Sequence, residues 1–503
     1  MKPSSNTADM TKGSPVRLIL TFSIPLIIGN IFQQLYNMVD TVVVGNFVGS
    51  NALGAVGACG SISWLFFSLS SGLALGIGII VSQNYGAKQF DQVRATIANS
   101  FYVLIFTAIV VSVVCYLIAP AALRLLKTPD DIIDNSIIYM RTTCLGIVAI
   151  TLYNGVSSIL QALGNSKTPL YFLIMASICN VLLDLLFVVV FHLGVFGVAF
   201  ATILSQTLSA VVSLIYAFKK VPYFRMTREQ LKPNFSIIGT SYRLGVPIAL
   251  QGSMIALSCI ALQYVVNSFG STVVSAFTIT NRIEQLINQP YNSLCTALTT
   301  YAGQNMGAGN TDRVKLGFKK SIYIAGIFSA IMIPIMFIFG KNIAGLFVKE
   351  TDVIALSASA LHITSICYFF LGMIYIPRGI LNGCGDAGFS VINGLTEVIC
   401  RLLFSCVLTK IPKIGFWGIW ITTGLTWLVV SIVCLLRYAS GKWKQKAIRS
   451  ERVNLIPTDC STVTLLSQSC KHSDSLIYFV NRCILMFGRV PRSSVFSRKP
   501  ERT

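Results

Sequence analysis

Apolar runs of twenty or more residues, broken by short polar clusters, follow one another along nearly all of the first 440 positions. They fall at about 17–43, 52–82, 95–119, 135–162, 169–191, 195–218, 242–268, 272–302, 318–340, 355–382, 388–409 and 415–437. A helix needs roughly 20 such residues to cross the hydrocarbon core of a bilayer. The pattern therefore predicts an all-α polytopic membrane protein with twelve transmembrane helices, each run being one span.

The runs come in two similar sets of six. QNYGAKQFDQVR from Gln83 and QNMGAGNTDRVK from Gln304 agree at six of twelve positions with a shift of 221 residues. The same shift pairs Gly49 with Gly270, Leu160 and Gly164 with Leu381 and Gly385, and Gly194 and Gly197 with Gly415 and Gly418. Halves separated by an even number of crossings make parallel repeats about an axis along the membrane normal, with a site expected between them. The expected organisation is an N-terminal six-helix lobe over 1–218 and a pseudo-symmetric C-terminal lobe over 244–440. Residues 219–243, basic and holding Pro222 and Pro233, form the linker between them. From about Lys442 the chain turns Ser- and Arg-rich with no counterpart in the repeat, so residues 441–503 are expected to be a basic, disordered tail. The run 476–487 is a candidate for a weak amphipathic surface helix. The loops around Asn84 and Asn305 carry the Gly, Asn and charged residues of tight turns, and their reuse points to structure before chemistry.

Composition agrees: 54% hydrophobic and 11% charged residues, with a mean hydropathy of +0.71, exclude a water-soluble globule. A net charge of +21 would suggest nucleic acid in a soluble protein, but here it sorts by loop. With the N-terminus inside, inward loops hold sixteen Lys and Arg before the tail and outward loops six, so the positive-inside rule places both termini in the cytoplasm of a multi-pass cell-membrane protein. The first apolar run is too long for a cleavable signal and is expected to do the targeting itself. Fourteen cysteines, mostly single within apolar runs and without a CxxC pair, read as small core residues.

Of eighteen acidic residues, four lie well inside predicted spans: Asp40, Asp184, Glu284 and Glu397. A carboxylate near the bilayer centre costs about 2.5–3.5 kcal/mol on insertion scales, so each asks for a partner or a cavity. Tyr36 shares a helix face with Asp40, among Gln33, Gln34 and Asn37. Asn180 shares one with Asp184, and Thr202 lies on the next helix. Pro25 removes a backbone donor from the helix of Asp40 and is a candidate bend there. In the second half the positions matching Asp40, Asn180 and Asp184 are Ala261, Arg401 and Ser405. The carboxylates thus belong to one lobe. Two carboxylates with an amide, a hydroxyl and a phenol in a poorly solvated pocket can trade a proton, or hold a small hard cation such as Na⁺ at Asp40, Asn180 and Asp184. Glu397 and Arg401, four apart, suit an intrahelical ion pair, while Glu284, Arg401, Gln34 and Asn37 are candidates to line a substrate cavity. No P-loop, HExxH or GxSxG motif is present, so an enzyme is not expected and energy must come from an ion gradient.

These features, in order, resemble the multidrug and toxic compound extrusion (MATE) family over residues 14–440. The likeness is carried by the twelve-run order, Ile24 and Pro25, MVDTVVVG from Met38, the QNYGA and QNMGA loops, and LQALGNSKTP from Leu160. The resemblance implies antiport of amphipathic, often cationic, organic compounds against Na⁺ or H⁺ by alternating access, with no cofactor beyond that ion. Tyr36, Asp40, Asn180, Asp184 and Thr202 resemble the coupling site of the prokaryotic branch that uses the first lobe, with Pro25 as its bend. The chain departs from branches with acidic residues in helices 7 and 10, since runs 242–268 and 355–382 contain none. Small molecules and the bilayer are the expected partners, nucleic acid is not, and the protein is expected to act as a monomer. Flipping of a lipid-linked oligosaccharide, known in the same superfamily, is the alternative.

Overall fold

The computed structural model describes residues 7–125 and 128–447. The expected surface helix at 476–487 and most of the expected tail lie outside the described residues.

Among the described residues, fourteen α-helices account for twelve crossings. In the first lobe these are α1 (Pro15–Val43), α2 (Ser50–Gly86), α3 (Phe90–Leu125), α4 (Asp130–Leu145) with α5 (Ile147–Ala162), α6 (Lys167–Asp184) and α7 (Gly194–Lys220). The second lobe repeats the order with α8 (Phe235–Asn267), α9 (Ser271–Gly307), α10 (Thr311–Gly345), α11 (Thr351–Ser365) with α12 (Tyr368–Gly383), α13 (Phe389–Leu408) and α14 (Gly418–Ala439). Among the described residues, nine of these elements are long and apolar enough to cross alone, and two bent pairs do so together. The remaining crossing is α9, which runs 37 residues, about 55 Å at 1.5 Å per residue. Its polar side chains divide: Thr280, Ser293, Thr299, Thr300, Gln304 and Asn305 are buried in protein, whereas Thr278, Asn281, Arg282, Gln285 and Asn292 are exposed, which accounts for its low hydropathy.

Two of the expected single spans are therefore broken. The run 135–162 bends by 45° between α4 and α5, and 355–382 by 50° between α11 and α12. The breaks, at Gly146 and at Ile366–Cys367, are related by the 221-residue shift. At the first, a side chain on Gly146 would come within 2.9 Å of Ile203 on α7, so the glycine lets the bend lie against its neighbour. The repeat is equally plain in the backbone. Positive φ occurs at Gly49 (110°) and Gly270 (87°), at Gly164 (89°) and Gly385 (88°), and at Gly194 (57°) and Gly415 (52°). Lys88 (59°) matches Gly309 (76°), a pair in which one half carries a side chain in the left-handed region where the other has glycine.

The lobes meet along α2 and α8. Gly76 stands where a Cβ would lie 2.6 Å from the Gly245 nitrogen, and Gly72 would overlap Ala249, so these helices touch backbone to backbone. The Ser68 and Ser253 hydroxyls, 3.0 Å apart, continue the seam. Between α7 and α8 a single 3-10 turn (Pro222–Phe224) buries Phe224, and Asn234 caps α8 by accepting from the Ser236 and Ile237 amides at 3.0 and 3.3 Å. The fold also continues into the segment expected to be tail. Lys442–Gln445 form a 3-10 turn, and Trp443, 1% exposed, gives its indole N–H to the Tyr438 carbonyl at 3.0 Å. An indole that size buries enough apolar surface to hold the turn.

Candidate functional site

The helices carrying Asp40 and Asp184 end alike. α1 passes into a π-helical turn at Val44–Val48, and α6 into another at Leu185–Val190. Each begins within one turn after the carboxylate, and the two turns touch. Val44 and Val188 of these turns pack with Val43, Ala52, Val195 and Val198 in one apolar cluster. Widened turns of this type free backbone groups and recur at functional positions.

The Asp40 and Asp184 carboxyls lie within hydrogen-bonding reach of each other. Asp184 is 0% exposed and Asn180 2%, whereas Asp40 is half-buried. Among the described residues, both oxygens of Asp184, both amide atoms of Asn180 and Oδ1 of Asp40 have no hydrogen-bond partner. Two ionised carboxylates cannot bond to each other. With one proton between them, the acid donates to its neighbour. The group of unsatisfied oxygens suits either a shared proton or a small hard cation.

The remaining expected residues divide. Tyr36, half-buried on α1, feels both carboxylates. Thr202 is half-buried on α7 but donates its hydroxyl to the Val198 carbonyl at 3.1 Å, leaving Asp184 without a donor from it. Gln34 is half-buried and Asn37 exposed, the latter's carbonyl accepting from the Thr41 hydroxyl at 2.8 Å. Pro25 is buried inside α1, which is helical on both sides of it, and Gly29 one turn on lets α1 lie against Leu170 and Leu173 of α6. Two further phenols join the site. Tyr139 on α4 interacts with Tyr36, Asp40 and Asp184, and Tyr153 on α5 with Tyr36. Neither was singled out from sequence, because a tyrosine within an apolar run looks like a core residue unless its neighbours across the bundle are known.

In the second lobe the intrahelical pair forms as expected: Arg401 Nη2 donates to Glu397 Oε1 at 3.0 Å, and Nη1 to the Cys259 sulfur at 3.3 Å. Glu284 lies near Thr364 and within the field of Arg401, but neither Glu284 Oε1 nor the Thr364 hydroxyl completes a hydrogen bond. Glu284 is thus on α9, close to the Arg401 pair and apart from the Asp40 site.

The MatE family profile matches residues 25–186 and 247–407, one match in each lobe. The chain is similar to the probable multidrug resistance protein YpnP of Bacillus subtilis, at 32% identity over 88% of this chain and 99% of that protein. It is also similar to the probable multidrug resistance protein NorM of Thermotoga maritima, at 23% identity over 86% and 95%. Among solved structures, an outward-facing conformation of a multidrug resistance MATE family transporter superposes with a TM-score of 0.82 at 22% identity, covering 88% of this chain and all of that one. The paired lobes, the profile matched once in each and the full-length similarity to YpnP lead to one assignment: the chain belongs to the MATE family of multidrug efflux transporters.

Proposed function

We propose that the protein is an antiporter of the cell membrane, with both termini in the cytoplasm, that exports amphipathic or cationic organic compounds in exchange for Na⁺ or H⁺. The observation carrying this reading is the Asp40–Asp184 carboxyl pair beside Asn180, with Asp184 and Asn180 buried, Asp40 half-buried and, among the described residues, no donor to either Asp184 oxygen or to Asp40 Oδ1. A site of net negative charge enclosed by apolar walls binds a proton or Na⁺ far better than it tolerates standing ionised. Tyr36 and Tyr139 supply phenols to orient the carboxylates, and Thr202 supplies a hydroxyl once it leaves Val198. Pro25 denies the Thr21 carbonyl its intrahelical partner, which lets α1 change its path as the carboxylates gain or lose charge. Substrate would pass between lobes 1–218 and 244–440, linked by 219–243. Gln34, Asn37, Glu284 and Arg401 are the polar groups proposed to meet it, and no cofactor takes part.

The multidrug names of the relatives favour small organic cargo over a lipid-linked oligosaccharide. Purified protein in liposomes, given a fluorescent organic cation and an imposed Na⁺ or pH gradient, tests the proposal. Transport driven by one gradient and lost in Asp40→Asn supports it. Folded protein that transports under neither gradient overturns it.

A further inference from the structure

The repeated QN motif, which the coupling site does not use, makes the contacts that join the lobes at the end of the bundle where α1 begins and α14 ends. Gln83, at the end of α2, donates through Nε2 to the Gly383 carbonyl at 2.8 Å, and Gln304, at the end of α9, donates to the Ala162 carbonyl at 2.8 Å. The acceptors obey the same 221-residue shift as the donors. Both are last residues of helices, α12 and α5, whose carbonyls have no partner along their own helix. Each amide is buried, Gln83 at 2% and Gln304 at 0% exposed, so each reaches an otherwise orphaned carbonyl of the opposite lobe only while the lobes are together. Gly86 and Gly307 permit the crossing, since a Cβ on Gly86 would overlap the Gln304 carbonyl and one on Gly307 the Gln83 carbonyl.

A strap lies over this crossing. The Ala8 amide donates to the Gly164 carbonyl of the first lobe at 3.0 Å, and the Met10 amide donates to Gln304 Oε1 of the second at 2.9 Å. The Met10 carbonyl accepts from Asn305 Nδ2 at 3.0 Å, and Arg313 Nη2 donates to the Gly13 carbonyl at 3.1 Å. Met10 itself is fully buried, in the core cluster of the second lobe. Gln304 is therefore bonded at once to the strap and to the far lobe.

We infer that Gln83, Gln304 and residues 8–13 form the gate at the end of the bundle where α1 begins, a set of positioning residues that fixes how readily the transporter opens there. Opening must release both amides and the strap together, so the gate behaves as one unit. The consequence for transport rests on the antiporter reading, but the gate itself does not.

The test is hydrogen-exchange mass spectrometry on the full-length protein in lipid nanodiscs, comparing wild type with Gln304→Met, close in volume but unable to make either bond, and Gly86→Ala, which wedges the crossing. Both variants should raise exchange about tenfold in three segments together: residues 82–86, 303–307 and 7–12. Residues 36–43 should stay unchanged. Faster exchange confined to 303–307 in Gln304→Met, or none, overturns the gate. Should Gly86→Ala fail to fold, Gln304→Met decides alone. Wild type that shows no gradient-driven transport while the three segments still respond together would sink the antiporter reading and leave the gate standing.

Discussion

Asp40 and Asp184 face each other carboxyl to carboxyl, each in the last α-helical turn before its helix widens into a π-turn. Nothing in helix propensity asks for an acid at either place, and two like charges so close oppose the fold. Retaining both is intelligible if the pair is rarely without a proton or a cation.

Asp40→Asn and Asp184→Asn keep the shape of the site and remove a charge. Each should lower gradient-driven transport in liposomes about 5- to 150-fold, the range of a lost coupling free energy of 1–3 kcal/mol. The thermal unfolding midpoint in detergent should hold or rise, because repulsion is relieved. A variant that unfolds earlier yet transports normally would show a structural carboxylate.

If the pair binds Na⁺, protons compete for the same oxygens. Where the site is protonated in the absence of Na⁺, one proton leaves for each ion bound, and Na⁺ affinity should fall about tenfold per unit drop in pH. Equilibrium binding of radioactive Na⁺ at several pH values measures this. Affinity independent of pH would exclude a shared site.

Tyr139→Phe removes a hydroxyl on α4 that interacts electrostatically with both carboxylates and that the proposed cycle uses to orient them. Transport should drop about three- to tenfold, equal to one hydrogen bond of roughly 0.5–1.5 kcal/mol, with folding little changed. Wild-type rates would place the phenol outside the coupling site.

Arg401 and Glu397 form a buried ion pair, 11% and 8% exposed at their side chains. Arg401→Met alone leaves the carboxylate unpaired and should destabilise by about 3–5 kcal/mol, while the double variant with Glu397→Leu should recover most of that. Chemical denaturation in detergent reads both. Recovered stability without recovered transport would assign the pair to substrate handling, and recovery of both would make it structural.

The twelve crossings, the two lobes and the first-lobe acids could be read from the chain because each leaves a mark along it: apolar length, a 221-residue echo, a charge where none is expected. The breaks at Gly146 and Ile366–Cys367 could not, since each bent pair reads as one continuous apolar run, and the close packing of Gly146 on Ile203 joins positions distant in sequence. Tyr139 and the acceptors of Gln83 and Gln304 were hidden for a related reason. They are contacts between elements distant in sequence, and a tyrosine or a glutamine does not announce its partner. Thr202 shows the converse, a residue well placed by sequence whose hydroxyl the fold gives to Val198.

The two amide ties across the seam are one contact made twice. Gln83 to Gly383 and Gln304 to Ala162 exchange places under the 221-residue shift, as residues do in the self-complementary interface of a two-fold homodimer. Two separate copies of a six-helix ancestor could have formed that interface before the halves were joined in one chain. In that light the seam is common property of both halves, drawn by the repeat itself, whereas the carboxylate pair sits in one half alone.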